Sequence, residues 1–596
     1  MGWQATGDPG AGGQPGPARL SGLPAGFGHR GTWAEAVPSA ALAVALEAAA
    51  GPADLYENAD TDALVGIARQ WAAIESWAAA GKLAALRAMT REDNEGRPLL
   101  RRRSDLPDGW DDSLTYEISG ALAMGPVSAG NLASLAWTLG TRLAGTGRLL
   151  AAGTLTMAKA KLIAQLFELL DEQEAARAEA LILGELAGKT YPQVERLAWR
   201  AALAVAPDAA ERRRTQAEKR ARVTVFREDS GAVGLSGRDL PAAEALAGHA
   251  SVLARAAEYE ASGAFGGDST SHLAALAYLD LLNGVSAKER IAFAVSAGAE
   301  PPVGPRPDDE DGRPGSGAHD PDPGGGDGHP DQPGGPGGLQ PLAELTIPLA
   351  TLRHRAARAG DSRLLGLIDP ALARDLASAA ARSPGSRWEL TIVDEHGYTI
   401  GHGIARRARG AGLPAQPPPA QPPTRPASSA LPARVNITIT ETLLHQLETQ
   451  PQPRPGAPPS DWALIPGKTG TWVLTLPGDQ QLAVRLDVVP TYDCDHRYQV
   501  SSYLPGDRLR RLVQVRDHEC TWPTCSRHAR ESDFEHAVPH HKGGATCACN
   551  AGARSRRCHQ VKQLPRWSVT QPKPGWHVWT TPTGRTYAQQ PWRYIA

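Results

Sequence analysis

Glu535-His536, Asn550 and Cys558-His559-x-x-Lys562 stand close together near the C-terminus, preceded by Cys520-Thr-Trp-Pro-Thr-Cys525. Thirteen residues separate His536 from Asn550 and eight separate Asn550 from His559, which suits a short hairpin closing onto one helix. Acids, imidazoles and a lysine in this pattern fit hydrolysis of a phosphodiester. That reaction needs an activated water, neutralised charge on the phosphoryl oxygens, and help for the departing oxygen. A neutral imidazole supplies the first, and a divalent cation the other two. His536 is the expected general base. Glu535 and His559 are the expected ligands of one cation such as Mg or Mn, leaving positions for phosphate and water. Lys562, with Arg556 and Arg557, is expected to reach phosphate. Asn550 completes the candidate catalytic set with His536 and His559 by cross-linking the loop through its side chain.

Something must hold these groups. Gly543-Gly544 offers a turn after the strand that carries Glu535, and Arg554 to Lys562 has a helix-compatible composition. His559 and Lys562 then lie three residues apart on one helical face. A lone Glu-His or Cys-His pair means little, and an isolated loop Asn is usually a turn residue. The joint spacing carries the reading.

Charge is unevenly divided. From Ser501 to Ala596 there are 15 Lys and Arg against 6 Asp and Glu, a net of +9, while the preceding 500 residues carry −11. A basic end on an acidic body is what a polyanion-binding module looks like, although an arginine-rich solvated surface has the same composition. All 6 cysteines follow position 490, crowded beside histidines. The N-terminal residues show no secretory signal pattern and no stretch is apolar enough to span a membrane, so a cytoplasmic protein, nucleoid-associated if it binds DNA, is expected. In that compartment clustered cysteines point to metal rather than disulfides.

The organisation expected is an α+β multidomain chain. Residues 1–37 read as disordered. Residues 40–297 read as an α-helical domain, with apolar residues returning every three or four positions, as in Leu162, Ile163, Leu166, Leu169 and Leu170. Thr190-Tyr-Pro-Gln193 fits a capping box, Thr154 is a candidate start signal for the run through Leu170, and Arg222 to Leu235 reads as a β-rich interruption. Tyr116 to Gly125 followed by Ser128 to Leu132 has a helix-turn-helix outline. No Arg or Lys lies between Pro126 and Thr141 to meet DNA, so helix packing is the preferred reading. Arg101-Arg102-Arg103 and Arg212-Arg213-Arg214 read as solvated helix ends. Residues 298–338 and 409–433 are Pro/Gly-rich linkers. Between and after them lie a small mixed segment, 340–408, with a helix expected from Pro370 to Ala380, and a β-rich segment, 434–490, with strands at Val435–Ile439 and Thr471–Leu476. Residues 491–596 hold the candidate site.

The tail resembles that of the actinobacterial 13E12-repeat proteins, which join a helical domain of unknown function to a C-terminal HNH endonuclease domain. The resemblance rests on Tyr492-Asp-Cys-Asp-His496, Tyr503-Leu-Pro505, Leu512-Val513 with Arg516-Asp517, Cys520-x4-Cys525 and Asp533-Phe-Glu-His536. It continues through Pro539, Gly543-Gly544, Thr546-Cys-Ala-Cys-Asn550, His559, Lys562-Gln563, Gly575 and Trp579 to Arg585. Residues 55–295 resemble the family only loosely, through helix pattern and Asp280-Leu-Leu282. The resemblance implies a ββα-metal, treble-clef-like fold in which His536 activates water and Glu535 with His559 hold the cation. Two positions depart from it: Glu535 stands where the family usually has Asp, and Ser555 where many members have a zinc-binding cysteine. For a structural zinc on Cys520, Cys525 and Cys558, the fourth ligand would then come from Cys549, Cys547 or a histidine such as His528 or His541, with Cys549 taken as the candidate.

The function expected is a metal-dependent HNH endonuclease acting on DNA. The alternatives are a non-cleaving DNA-binding protein of a mobile element with an unused site, and a helical body that serves as a protein-interaction scaffold.

Overall fold

The structure is a computed structural model that describes residues 24–52, 55–89, 112–297, 343–407, 431–449, 461–468 and 470–596. Both expected linkers fall almost wholly outside these residues, as do Arg101-Arg102-Arg103 and the first 23 positions. The chain divides into two compact units, one of Met1–Ile118 with Val127–Arg213, the other of Ser119–Pro126 with Arg214–Ala596.

The first unit is helical: α1 (Ala40–Ala50), α2 (Thr61–Ala88), most of α3 (Asp112–Ala121), α4 (Pro126–Gly140), α5 (Ala144–Ala151), α6 (Met157–Leu166), α7 (Glu172–Ile182), α8 (Tyr191–Val205) and the start of α9 (Pro207–Glu218). Its helices begin where side chains can satisfy free backbone donors. Ser39 and Asp60 cap α1 and α2, Asp171 with Glu174 forms a capping box on α7, and Thr190 with Gln193 another on α8. For α6 the cap is Thr156, not Thr154, because Gly153 turns the chain at φ 72° and only Thr156 is placed to accept from Lys159 N.

Residues 24–37 depart from the disorder expected of them. Phe27 is fully buried against Leu42, Leu46, Ile67 and Ile74, and Trp33 stacks on it, so a short apolar segment docks where composition alone suggested none. In α3 and α4, Tyr116, Ile118, Ala129, Ala133, Ala136 and Leu139 are buried, the pattern of packing helices.

The helical stretch 40–297 does not stay in one unit. α9 is too polar to bury a face; Arg212 pairs with Asp208 and Arg214 with Glu218 along it. Beyond it come a hairpin of β1 (Arg222–Arg227) and β2 (Val233–Arg238), then α10 (Ala242–Ser262), α11 (Thr270–Asn283) and α12 (Ala287–Ala297). Tyr259, Ala256, Leu273 and Ala277 form their small core, with Asp280 buried and bound by Arg290 and the Tyr259 hydroxyl.

The two segments read separately as 340–408 and 434–490 share one sheet. Among the described residues it has ten strands: β3 (Ala343–Pro348), β4 (Gly360–Ser362), β5 (Gly366–Ile368), β6 (Arg387–Val393), β7 (Thr399–Arg407), β8 (Ala433–Thr440), β9 (Ala463–Pro466), β10 (Thr471–Leu476), β11 (Gln480–Arg485) and β12 (Asp487–Val488). The order is β5-β4-β3-β8-β6-β7-β11-β10-β9, with β12 on β7. β8 runs parallel to both β3 and β6, so it enters as a central strand between neighbours from the earlier segment. Its buried Val435, Ile437 and Ile439 explain why: a strand this apolar is best satisfied inside a sheet. The helices α13 (Leu349–Leu352), α14 (Pro370–Ala381) and α15 (Glu441–Thr449) pack on it, with Leu349, Leu352, Ala373, Ala377 and Leu447 in its core.

The tail contains α16 (Asp507–Asp517), a hairpin of β13 (Asp533–His536) and β14 (Ala551–Arg554), α17 (Arg556–Lys562), and a sheet of β15 (Ser568–Lys573), β16 (Trp576–Thr580) and β17 (Thr586–Gln589). It is joined to the ten-stranded sheet by Arg530 on Glu389, His528 on Glu344, and Tyr594 N donating to Gly397 O. Among the described residues no helix is long and apolar enough to cross a membrane.

Candidate general-base and metal sites

The hairpin that carries the site is fixed from behind by buried charge. α16 buries Leu509, Leu512 and Val513 and ends on Arg516 and Asp517, each almost fully buried and paired at 2.8 Å. Arg516 also donates to Ala548 O and Ala551 O at 2.7 Å, and Asp517 accepts from Ala553 N at 2.8 Å. β14 is therefore held by side chains along its length, with every one of its residues buried. A Cβ at Gly552 would come within 2.6 Å of the His577 ring, so the close packing requires glycine there. Behind it Trp522, Trp567 and Trp579 pack edge to face, and the Trp579 indole donates to Thr521 O at 2.7 Å.

On β13, Asp533 and Glu535 are two residues apart and so share a face. Both meet His559 of α17: Nδ1 lies 2.8 Å from Asp533 and Nε2 lies 3.0 Å from Glu535 Oε2. Burial opposes the proton on His559, but hydrogen bonds to Asp533 and Glu535 raise its pKa to about 9. Burial likewise opposes charge on Glu535, yet hydrogen bonds from His559 and Lys562 hold it well below the usual carboxylate range.

Lys562 differs from its expected role. It is buried, its Nζ 2.7 Å from Glu535 Oε1 and donating also to the His536 carbonyl, so it steadies the carboxylate and is not free to reach phosphate. Burial, then the nearby charge of Arg554, lowers its pKa. Arg556 is the exposed cation, 3.2 Å from Asp533, and Arg557 is partly exposed.

His536 ends β13 on the other face, against Phe534, Tyr503 and His540. Its Nε2 lies 2.9 Å from Thr546 Oγ1, and that hydroxyl donates to Ser502 O at 2.7 Å. The hydroxyl has one proton and spends it on the carbonyl, so the ring must donate through Nε2. Nδ1, which has no partner among the described residues, keeps its lone pair. Burial lowers the His536 pKa, so the ring is neutral near pH 7. A neutral imidazole with an available Nδ1 can accept a proton.

Asn550 accepts from Val538 N at 2.8 Å and donates to Val538 O and Ala545 O at 3.0 and 2.9 Å, tying the loop into a closed turn. Gly544 fits within it because a Cβ would collide with Val538 O at 1.8 Å.

Among the described residues two cysteine clusters, one of them with a histidine, could hold a metal. The first joins Cys520, Cys525 and Cys558; Ser555, whose backbone N donates to Cys520 Sγ, lies 3.8 Å by its hydroxyl from Cys525 Sγ. Cys549, expected as the fourth ligand, is not there. It belongs with Cys494, His496 and Cys547 in the second cluster, because the turn built on Asn550 directs this loop towards residues 494–496. His528 is engaged with Glu344 and Arg530 N. Hydrogen bonds from Cys520 and from Cys549, respectively, hold the Cys525 and Cys547 thiols well below the ordinary cysteine range.

Asp533, Thr546, Cys494 and His496 were given no role from the sequence. The two-residue spacing of Asp533 and Glu535 on a strand was the available signal for the first. For Thr546 the partners lie 10 and 44 residues away and spacing carries no signal, while for Cys494 and His496 the available signal was the single-residue spacing they share with Cys547 and Cys549.

Residues 72–264 match the family described as "Domain of unknown function (DUF222)". The chain is 29% identical over 197 residues to the uncharacterized protein Rv2100 of Mycobacterium tuberculosis, covering 31% of this chain and 32% of that protein. It is 30% identical over 95 residues to the uncharacterized protein Rv3776 of the same species, covering 15% and 17%. The chain thus spans about a third of the length of the first of these curated relatives. No solved structure matches it. The DUF222 match ends before the tail, so the residues of both metal clusters and of the His536 site lie outside it.

Proposed function

We propose that this chain is a metal-dependent endonuclease that hydrolyses DNA phosphodiester bonds, of the HNH type that its tail resembles. The observation that carries the reading is the His536–Thr546–Ser502 chain, which leaves Nδ1 to act as base one residue from a carboxylate–imidazole pair. The pair suits a cation. Their 3.0 Å contact is a hydrogen bond in which His559 Nε2 carries the proton, and a cation would take that proton's place between them. Glu535 and His559 would hold it, and it would supply charge neutralisation at the phosphoryl and departing oxygens. Asp533 accepts from Nδ1 of His559 and so turns Nε2 towards Glu535. His536 takes the proton of the attacking water at Nδ1. Arg556 and Arg557, in a tail of net charge +9, attract the polyanion. In the same reading Cys520, Cys525 and Cys558 would supply three of the four ligands of a structural zinc, and the protein works in the cytoplasm on nucleoid DNA.

A second reading is favoured by one observation: His536 meets Phe534 and the Tyr503 loop, whereas Asp533 and Glu535 meet α17, so base and acid pair use opposite faces of β13. A protein that binds DNA without cutting it would tolerate that arrangement. The full chain incubated with supercoiled plasmid and Mg or Mn separates the two. Nicking or linearisation that is lost in His536→Ala supports the nuclease. Equal cutting by His536→Ala removes the proposed base, and salt-sensitive binding without cutting under any divalent ion establishes the second reading.

A further inference from the structure

Cys494 and His496 lie on one loop, Cys547 and Cys549 on another, each pair spaced by a single residue. Cys494 Sγ is 3.5 Å from Cys547 Sγ, His496 Nδ1 is 3.3 Å from Cys547 Sγ and 3.7 Å from Cys549 Sγ, and all four ligand atoms lie within 4.8 Å of one another. A tetrahedral zinc with Zn–S near 2.3 Å and Zn–N near 2.0 Å needs ligand separations of about 3.8 Å between sulfurs and about 3.5 Å between sulfur and nitrogen. The distances already present are close to those edges. A disulfide would need sulfurs about 2.0 Å apart, and it would leave a third thiol and an imidazole at the same point unexplained.

Ordinary packing does not account for the group either. Cysteine used as a small apolar filler is buried, and here only Cys547 is; Cys494 and Cys549 are partly exposed and His496 is exposed. His496 also adopts φ 57°, which turns its ring back towards the two cysteines of the other loop.

We propose that Cys494, His496, Cys547 and Cys549 form a closed Cys3His zinc site that staples the 492–503 loop to the 545–550 loop. Three thiolates and an imidazole select zinc over hard cations, and four protein ligands leave no open position, so the site is structural. Its place gives the staple a purpose. Cys547 follows Thr546, the acceptor for His536, and Val500 N donates to Thr546 O at 3.1 Å, three residues before Tyr503, which stacks on the His536 ring. The ion thus clamps together the two loops that fix one side of that histidine. The inference does not rest on nuclease activity and is read without it.

The test uses the full chain, purified under reductant. Metal content is measured in wild type and in the Cys494→Ser/Cys549→Ser variant, and each cysteine's alkylation is followed by peptide mass before and after a zinc chelator. The variant should lose one zinc per chain while Cys520, Cys525 and Cys558 keep their alkylation pattern. In wild type, partly exposed Cys494 and Cys549 should alkylate slowly until the chelator is added and then rapidly. Unchanged zinc content in a folded variant, equal alkylation of Cys494 and Cys549 with and without chelator, or a Cys494–Cys547 disulfide in the reduced preparation would each overturn the proposal. Should the variant not fold, the wild-type alkylation decides.

Discussion

Thr546 Oγ1 sits 2.9 Å from His536 Nε2 and gives its only proton to the Ser502 carbonyl, so one hydroxyl decides which nitrogen of the histidine carries hydrogen. Thr546→Val removes the acceptor and keeps the shape. On the proposed nuclease reading, the expected result is a fall of about 10- to 100-fold in kcat for plasmid cutting with little change in KM, and recovery in Thr546→Ser. A variant that lowers KM and kcat together, or a serine that does not rescue, would show that Thr546 acts only through packing.

Lys562 and Arg556 occupy the same short helix but opposite environments, one buried on Glu535, the other 73% exposed. If DNA is the partner as proposed, Arg556→Ala should reduce the salt slope of binding by about 1, as the loss of one phosphate contact does. Lys562→Met should leave that slope unchanged and lower thermal stability, since it removes one of the two partners of the buried Glu535. Binding titrations at several salt concentrations distinguish them.

Asp517 is buried against Arg516 and the Ala553 amide. Asp517→Ala leaves the guanidinium buried without its counter-charge, and a loss of about 3–5 kcal/mol is expected for the tail. Urea unfolding followed by tryptophan fluorescence reads it directly, because Trp522, Trp567 and Trp579 lie behind the same hairpin.

His402 of β7 is fully enclosed in the large sheet, its Nδ1 3.2 Å from Thr391 Oγ1. Burial lowers its pKa from 6.5 to about 4; Glu389 and Asp487 pull it up, and Arg530 and Arg511 push it down. The folded ring stays neutral while the unfolded chain takes up a proton below about pH 6.5. Its contribution is therefore fully present above that pH and declines between roughly 6.5 and 4, by up to about 3 kcal/mol. Denaturant midpoints at pH 7 and pH 5 should fall more in wild type than in His402→Gln.

How much was legible follows from the range of each interaction. The strands at Val435–Ile439 and Thr471–Leu476 and the helix from Pro370 lay in short-period patterns and turn chemistry, and the structure has them within β8, β10 and α14, whereas the division of 40–297 between two units left no such pattern. The hairpin-plus-helix outline around Glu535 and His559 was read from local spacing in the same way. Thr154 was misjudged by two residues because a candidate cap is recognised by type, whereas the turn at Gly153 selects which threonine reaches a backbone amide.

Residue types and local spacing determined by themselves the basic tail, the sulfur- and imidazole-rich chemistry, and the approach of Glu535 to His559, because all are set by composition or by fewer than thirty positions of chain. Only the tertiary structure decided that β8 enters between β3 and β6, that Cys549 joins Cys494 and His496 instead of Cys520, that Lys562 is buried on Glu535, and that Thr546 sets the tautomer of His536. Each of those depends on which distant segments meet. That is settled by the burial of whole faces, through many weak contacts summed over the fold, and no spacing along the chain records it.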